Sequence, residues 1–155
     1  MNDMDRASRS EGEVALTFPS DARMLKIARA TVGHLCAIMG FANVEKNSVV
    51  LAVDEACSNI IKHAYEGETG RPIEMRCHMC PDRLEVHLRD YGKKADLDKV
   101  QTAAEDGVSS PRLGLHLIRT VMDVVEYRND VAEGNHLVLV KRRRSEGQEG
   151  VGLGM

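Results

Sequence analysis

Glu55, Asn59 and Lys62 stand four and three residues apart in the stretch DEACSNIIKHAY, residues 54–65. On a helix of 3.6 residues per turn they fall in one narrow sector with Ser48 and Ser58 beside it. Val49, Val50, Val53, Cys57, Ile60, Ile61 and Ala64 fill the opposite side. Glu55 and Asn59 are one turn apart, so their side chains start about 5–6 Å from each other and can meet over a shared ligand. A carboxylate that takes a proton, beside an amide oxygen that binds a hard cation, can move a proton next to a metal-held substrate. Taken alone, an ExxxN on an amphipathic helix is ordinarily a solvated face.

Two further pieces join it. Asp90-Tyr91-Gly92 closes an alternating segment, and Leu113-Gly114-Leu115-His116-Leu117-Ile118 opens a helical one behind Ser110-Pro111, a cap and a first-turn proline. A glycine in a helix's first turn lets an anion approach the free N–H groups and the positive end of the dipole, which suits a phosphate; a glycine needed for close packing looks the same. The chain has no GxxxxGK[ST] and no GxGxxG, which excludes the P-loop and Rossmann phosphate sites.

These groups need elements to position them. Val14, Leu16 and Phe18 alternate ahead of Pro19 and predict a strand; Ser20 is placed to cap a helix with the stripe Leu25, Ala28, Val32, Leu35 and Met39, ending at Gly40. Asn43 is placed to cap the central helix, which runs to about Tyr65 and is closed by Gly67 and Gly70. Ile73, Met75, Cys77 and Met79, then Leu84, Val86 and Leu88, alternate with polar residues across the Pro81-Asp82 turn, predicting an antiparallel hairpin with one dry and one wet face. From Lys93 to Ser110 periodicity stops, and a loop of that length in a compact domain suggests a lid. A helix with Leu113, Leu117, Ile118, Val121 and Met122 inward follows, then strands over 124–128 and 136–140 joined through Glu133-Gly134-Asn135. The order implies an α+β fold, a two-layer sandwich with a mixed, mostly antiparallel sheet and helices on one face. Residues 1–12 read as a disordered segment, 13–143 as the domain and 144–155 as a flexible tail with a short basic run before it.

Composition narrows the function. Charges nearly balance at 24 acidic and 21 basic residues, so no whole-molecule field draws nucleic acid or an anionic membrane. Aromatics are 3% of the chain and Trp is absent, which removes the stacking platforms of single-strand binders. No apolar run reaches the roughly 20 residues of a membrane span and no signal peptide opens the chain, so a cytoplasmic location is expected. Cys36, Cys57, Cys77 and Cys80 read as reduced, packed thiols; a zinc site on Cys77 and Cys80 is the alternative.

In their order, DEACSNIIKHAYEG, RDYGKKADL and LGLHLIRTVMDVVEY resemble the N, G1 and G2 boxes of the GHKL ATPase superfamily, and more closely the bacterial anti-sigma-factor serine kinases of partner switching. The resemblance spans roughly residues 13–143 and implies the two-layer GHKL fold. It implies ATP as cofactor, with Mg²⁺ held by Asn59, Glu55 as the general base, and Asp90 as the acceptor for the adenine amino group. Gly92 would let the backbone pass close to the base; Gly114 and Leu115 would lie by the phosphates, and Lys62 and His63 near the nucleotide. His63 can equally be a packing or capping residue. Two positions depart from the superfamily pattern: Lys94 stands where a second glycine is usual, and Pro111-Arg112 precede Leu113. Arg112 can stabilise charge on the γ-phosphate or mark a lid that no longer folds over ATP. The implied partners are a STAS-type anti-anti-sigma protein, whose serine or threonine is phosphorylated, a sigma factor or other regulator, and a second copy of the chain in a homodimer. A kinase-inactive binding module on the same fold is the alternative reading.

Overall fold

Alternation of apolar and polar side chains builds five strands: β1 Gly12–Pro19, β2 Pro72–Met79, β3 Arg83–Asp90, β4 Val124–Arg128 and β5 Asn135–Arg142. The computed structural model describes residues 12–96 and 110–144, and for residues 110–114 only the course of their helix. The strands form one sheet in the order β1-β2-β3-β5-β4, and every pairing among the described residues is antiparallel. The β4–β5 hairpin brings β5 back into the sheet against β3, so that Asp90 pairs with Asn135.

Helices α1 Leu25–Ile38, α2 Asn43–Asn59 and α3 Ser110–Val121 cover one face. Leu25, Ala28, Val32 and Leu35 of α1 and Val49, Val53 and Cys57 of α2 are buried, as the helical stripes require, and they meet Ile73, Met75, Leu84, Val86 and Leu88 from the sheet. Burying each large aliphatic side chain contributes about 1.5–3 kcal/mol, so this double layer holds the fold together. The opposite sheet face is the wet one: Glu74, His78, Glu85, His87 and Arg89 alternate with the buried positions of β2 and β3.

All four cysteines are buried, and none is in a disulfide. Burial pushes the thiols of Cys57 and Cys77 up to about 12 and that of Cys36 up to about 11, which leaves them protonated. No cluster of three His, Cys, Asp or Glu side chains placed to hold a metal occurs among the described residues, so Cys77 and Cys80 lack a third such ligand there.

Three local expectations are corrected. Ser20 caps no helix: it is fully buried, its hydroxyl donating to the Glu68 carbonyl at 2.7 Å and accepting from the Arg71 N–H at 2.9 Å. Asp21 caps instead, accepting from Arg23 N–H ahead of a 3₁₀ turn, Ala22–Met24. Asn43 is already the first helical residue, because Ala42, in an extended conformation, takes the cap position without a side-chain bond. The central helix is α-helical only to Asn59; Ile60–Ala64 form a π turn, in which Tyr65 N–H reaches the Ile60 carbonyl at 2.9 Å. No helix is long and apolar enough to cross a membrane among the described residues.

Candidate active site

The π turn brings the central helix to the end of β3. Its last carbonyl, that of Ala64, accepts from Lys93 N–H at 2.8 Å, joining the helix end to the loop after β3. A Cβ on Gly92 would collide with that carbonyl, so the missing side chain makes room for the helix end. The side of Gly92 that a Cβ would occupy faces the backbone of the helix end. Tyr65 completes the joint: its hydroxyl donates to the Pro72 carbonyl at 2.5 Å and accepts from Tyr91 N–H at 2.9 Å. Arg71 lies over its ring, 4.6 Å from the centroid.

Between the π turn, the loop after β3 and the start of β5 lies a cavity of about 620 Å³, within the range of small-molecule sites. Ala56, Ile60, Leu115, Tyr127 and Leu137 supply apolar walls; Asn59, Lys62, His63, Asp90, Lys93 and Lys94 supply polar groups. Asn59, Lys62, His63, Asp90 and Leu115, all named from sequence, thus meet at one place. Glu55 is half-buried on α2, one turn before Asn59, and Gly92 adjoins Asp90; neither lines the cavity. Arg112 and Gly114 fall in α3, but their surroundings lie outside the described residues, as does the candidate lid over 97–109.

Asp90 is 1% exposed. Its Oδ1 accepts from Gly92 N–H at 3.0 Å and from the Asn135 amide at 3.1 Å; its Oδ2 accepts from the same amide at 3.3 Å. Burial pushes its pKa up, opposed by the two donors and by nearby Arg89. A buried carboxylate with an acceptor oxygen to spare at an apolar wall fits a flat base bearing an amino group. The amide of Asn59 and the lysines at the same cavity fit a cation and the phosphates that it accompanies. The residues present therefore fit ATP with a divalent metal.

Asn135 escaped the sequence reading, which treated it as part of a turn. Its side chain also donates to the Lys93 carbonyl at 2.9 Å and accepts from Ala95 N–H at 2.8 Å. Its placement beside Asp90 depends on β3–β5 register, which is invisible before the sheet is assembled. Lys94 lines the cavity but directs its ammonium to the Val131 carbonyl at 2.9 Å, tying the loop to the β4–β5 turn.

A two-layer sandwich with a buried carboxylate at the end of β3 and an asparagine on the facing helix is the architecture of a nucleotide-binding ATPase domain. The sequence signature of the histidine kinase-like ATPase domain family matches residues 18–141, and the chain belongs to that family. Among curated proteins it is similar to the serine-protein kinase RsbW of Bacillus velezensis, 30% identical over 79% of this chain and 82% of the relative. The RsbW kinase of Bacillus subtilis is 31% identical over 75% and 78%, and that of Bacillus cereus 30% over 90% and 91%.

Proposed function

We propose that this protein is an ATP- and Mg²⁺-dependent serine/threonine kinase that acts as an anti-sigma regulatory factor. Its substrate is a small STAS-type anti-anti-sigma protein, and it alternates between holding a sigma factor or similar regulator and phosphorylating that antagonist. Kinship with proteins named serine-protein kinase RsbW supports the reaction class. The observation that carries the reading is the buried Asp90 carboxylate at the wall of a cavity that Asn59 also lines.

When bound, ATP would supply the γ-phosphoryl group, and Mg²⁺ would offset the charge that develops during its transfer. Asp90 accepts a hydrogen bond from the adenine amino group. Guanine presents a carbonyl at that place, so a carboxylate repels it. Asn59 would hold the metal through its amide oxygen, and Lys62 and His63, which line the same cavity, would lie near the phosphates. Glu55 draws the proton from the attacking serine hydroxyl as the new oxygen–phosphorus bond forms and the bond to the bridging oxygen of ADP breaks. Gly114 and Leu115 at the start of α3 would lie by the phosphates, and Arg112 would stabilise charge on the γ-phosphate. Lys94, whose charge is engaged by the Val131 carbonyl, acts as a loop anchor in this scheme. The homodimer and a Mg²⁺-bound state belong to the same proposal.

Titration of the full chain with ATP and GTP, with and without Mg²⁺, tests the site, and phosphoserine on a co-expressed STAS protein tests the transfer. Selective ATP binding that Asp90→Asn abolishes supports the reading. Absence of nucleotide binding at saturating concentration overturns it in favour of a partner-binding module.

A further inference from the structure

The two oxygens of Asp90 are not equivalent. Oδ1 receives two donors, Gly92 N–H and the Asn135 amide, whereas Oδ2 has a longer contact to that amide; the Asn135 backbone N–H also favours the charged carboxylate. A carboxylate offers about four lone-pair sites, so among the described residues the larger unfilled capacity lies on Oδ2 of a side chain that lines the cavity. One side chain makes this difference and also holds the neighbouring loop, through the Lys93 carbonyl and Ala95 N–H. Asn135 uses both amide hydrogens and its carbonyl in doing so, and a freely rotating side chain would have to break all of these bonds together. Gly134 supports the arrangement: with φ at 67° and the Asp90 carbonyl packed where a Cβ would stand, it delivers Asn135 to β5 in register with Asp90.

We infer that Asn135 is a positioning residue that sets adenine selectivity, fixing Asp90 with Oδ2 presented to the exocyclic amino group and holding the loop 93–95 against the base site. The inference rests on the proposed nucleotide reading and deepens it. Asn135 touches neither reacting atom; it acts through Asp90, so its effect is on nucleotide affinity and selectivity rather than on the transfer step.

The amide also favours the ionised form of Asp90, the stronger acceptor. The other groups around this carboxylate are Arg89 on its own strand, Tyr65 after the π turn and Tyr127 on β4, with Lys93 and Lys94 on the loop and His63 on the π turn sharing the cavity. None of them supplies the donor that Asn135 supplies.

The test is calorimetric titration of the full chain with ATP and with GTP across about pH 5–8, a window that spans the histidine range and approaches the carboxylate range. The variants are Asn135→Ala, Asn135→Asp and Asp90→Asn. Asn135→Asp keeps the shape and the acceptor facing Ala95 N–H, and thermal melting shows that each variant is folded. At neutral pH both Asn135 variants are expected to lose about tenfold in the ratio of ATP to GTP affinity, the size of one charge-assisted hydrogen bond. The pH responses then diverge. Asn135→Ala weakens further as pH falls, because Asp90 protonates more easily without its donor. Asn135→Asp recovers as pH falls, because the two carboxylates come to share one proton and a donor faces Asp90 again. Asp90→Asn shows neither response, because it removes the carboxylate through which Asn135 acts. Unchanged selectivity, or an equal loss at every pH in both Asn135 variants, overturns the inference while leaving the nucleotide reading intact. Failure of the unaltered chain to prefer ATP overturns both.

Discussion

Tyr91 donates its backbone N–H to the Tyr65 hydroxyl at 2.9 Å, so a side chain from the end of the central helix holds the backbone one residue beyond Asp90. The same hydroxyl donates to Pro72 at the start of β2. Tyr65→Phe leaves a donor and an acceptor unpaired in a part-buried joint. We expect a loss of about 1–3 kcal/mol in unfolding free energy, measured by urea denaturation, together with weaker ATP binding. Full stability with full ATP affinity would show that the hydroxyl is dispensable.

Gly92 gives a sharper test of the same joint. Gly92→Ala drives a methyl group into the Ala64 carbonyl and must part the Lys93–Ala64 hydrogen bond. The predicted cost is about 1–3 kcal/mol, typical of an overpacked contact, with earlier hydrogen exchange at Lys93 N–H. An unaltered exchange rate would contradict the close approach.

Glu55 lies outside the cavity wall, one turn before Asn59. If it is the base, Glu55→Gln lowers phosphoryl transfer to the STAS substrate by about 10²–10⁴-fold, the contribution of a positioned proton acceptor. The ATP dissociation constant stays within about threefold, well under one hydrogen bond in free energy. Parallel losses in binding and transfer would assign it a structural role instead.

On the wet face of the sheet, Glu85, His87, His136 and Asp130 form a chain with successive contacts of 3.0, 2.9 and 3.0 Å. One proton fills each of the three gaps; a fourth sets two N–H groups against each other between the imidazoles. Burial holds His87 below the ordinary histidine range, with His78 and His136 acting in the same direction, while contacts with His87 and Arg83 hold Glu85 low against its own burial. For a histidine depressed on folding, the unfolded chain takes up the proton first. Stability is therefore predicted to fall as pH drops through about 6.5 and to fall further through the carboxylate range as Glu85 protonates. His87→Gln should flatten the first of these slopes in denaturation midpoints measured between neutral and mildly acidic pH. An identical slope in the variant would remove His87 from the account.

Much of this molecule is legible before folding. The alternation of Ile73 to Met79 and Leu84 to Leu88 gives β2 and β3 within a residue, because one dry face fixes a period of two, and the stripe from Leu25 to Met39 marks α1 for the same reason in its own period. Asn59, Lys62, His63, Asp90 and Leu115 could be named because ordered boxes carry them. What escaped depends on partners distant in sequence. Ser20 looks like a cap until Glu68 and Arg71 arrive beside it, and Asn135 looks like a turn residue until β5 lies against β3. Lys94 looks like an intrusion into the site until Val131 is seen to receive it.

The π turn has a consequence for how this helix tolerates change. It holds one residue more than an α turn, so removing one residue from Ile60–Ala64 would leave a regular helix with better hydrogen-bond geometry. Everything after the deletion would rotate by about 100°, taking the Ala64 carbonyl away from Lys93 and the Tyr65 hydroxyl away from Tyr91. The shortened helix would be the better helix in isolation, while the wall it shares with Asp90 would come apart. The extra residue is thus a register device, keeping a locally less favourable turn so that two distant segments arrive in phase.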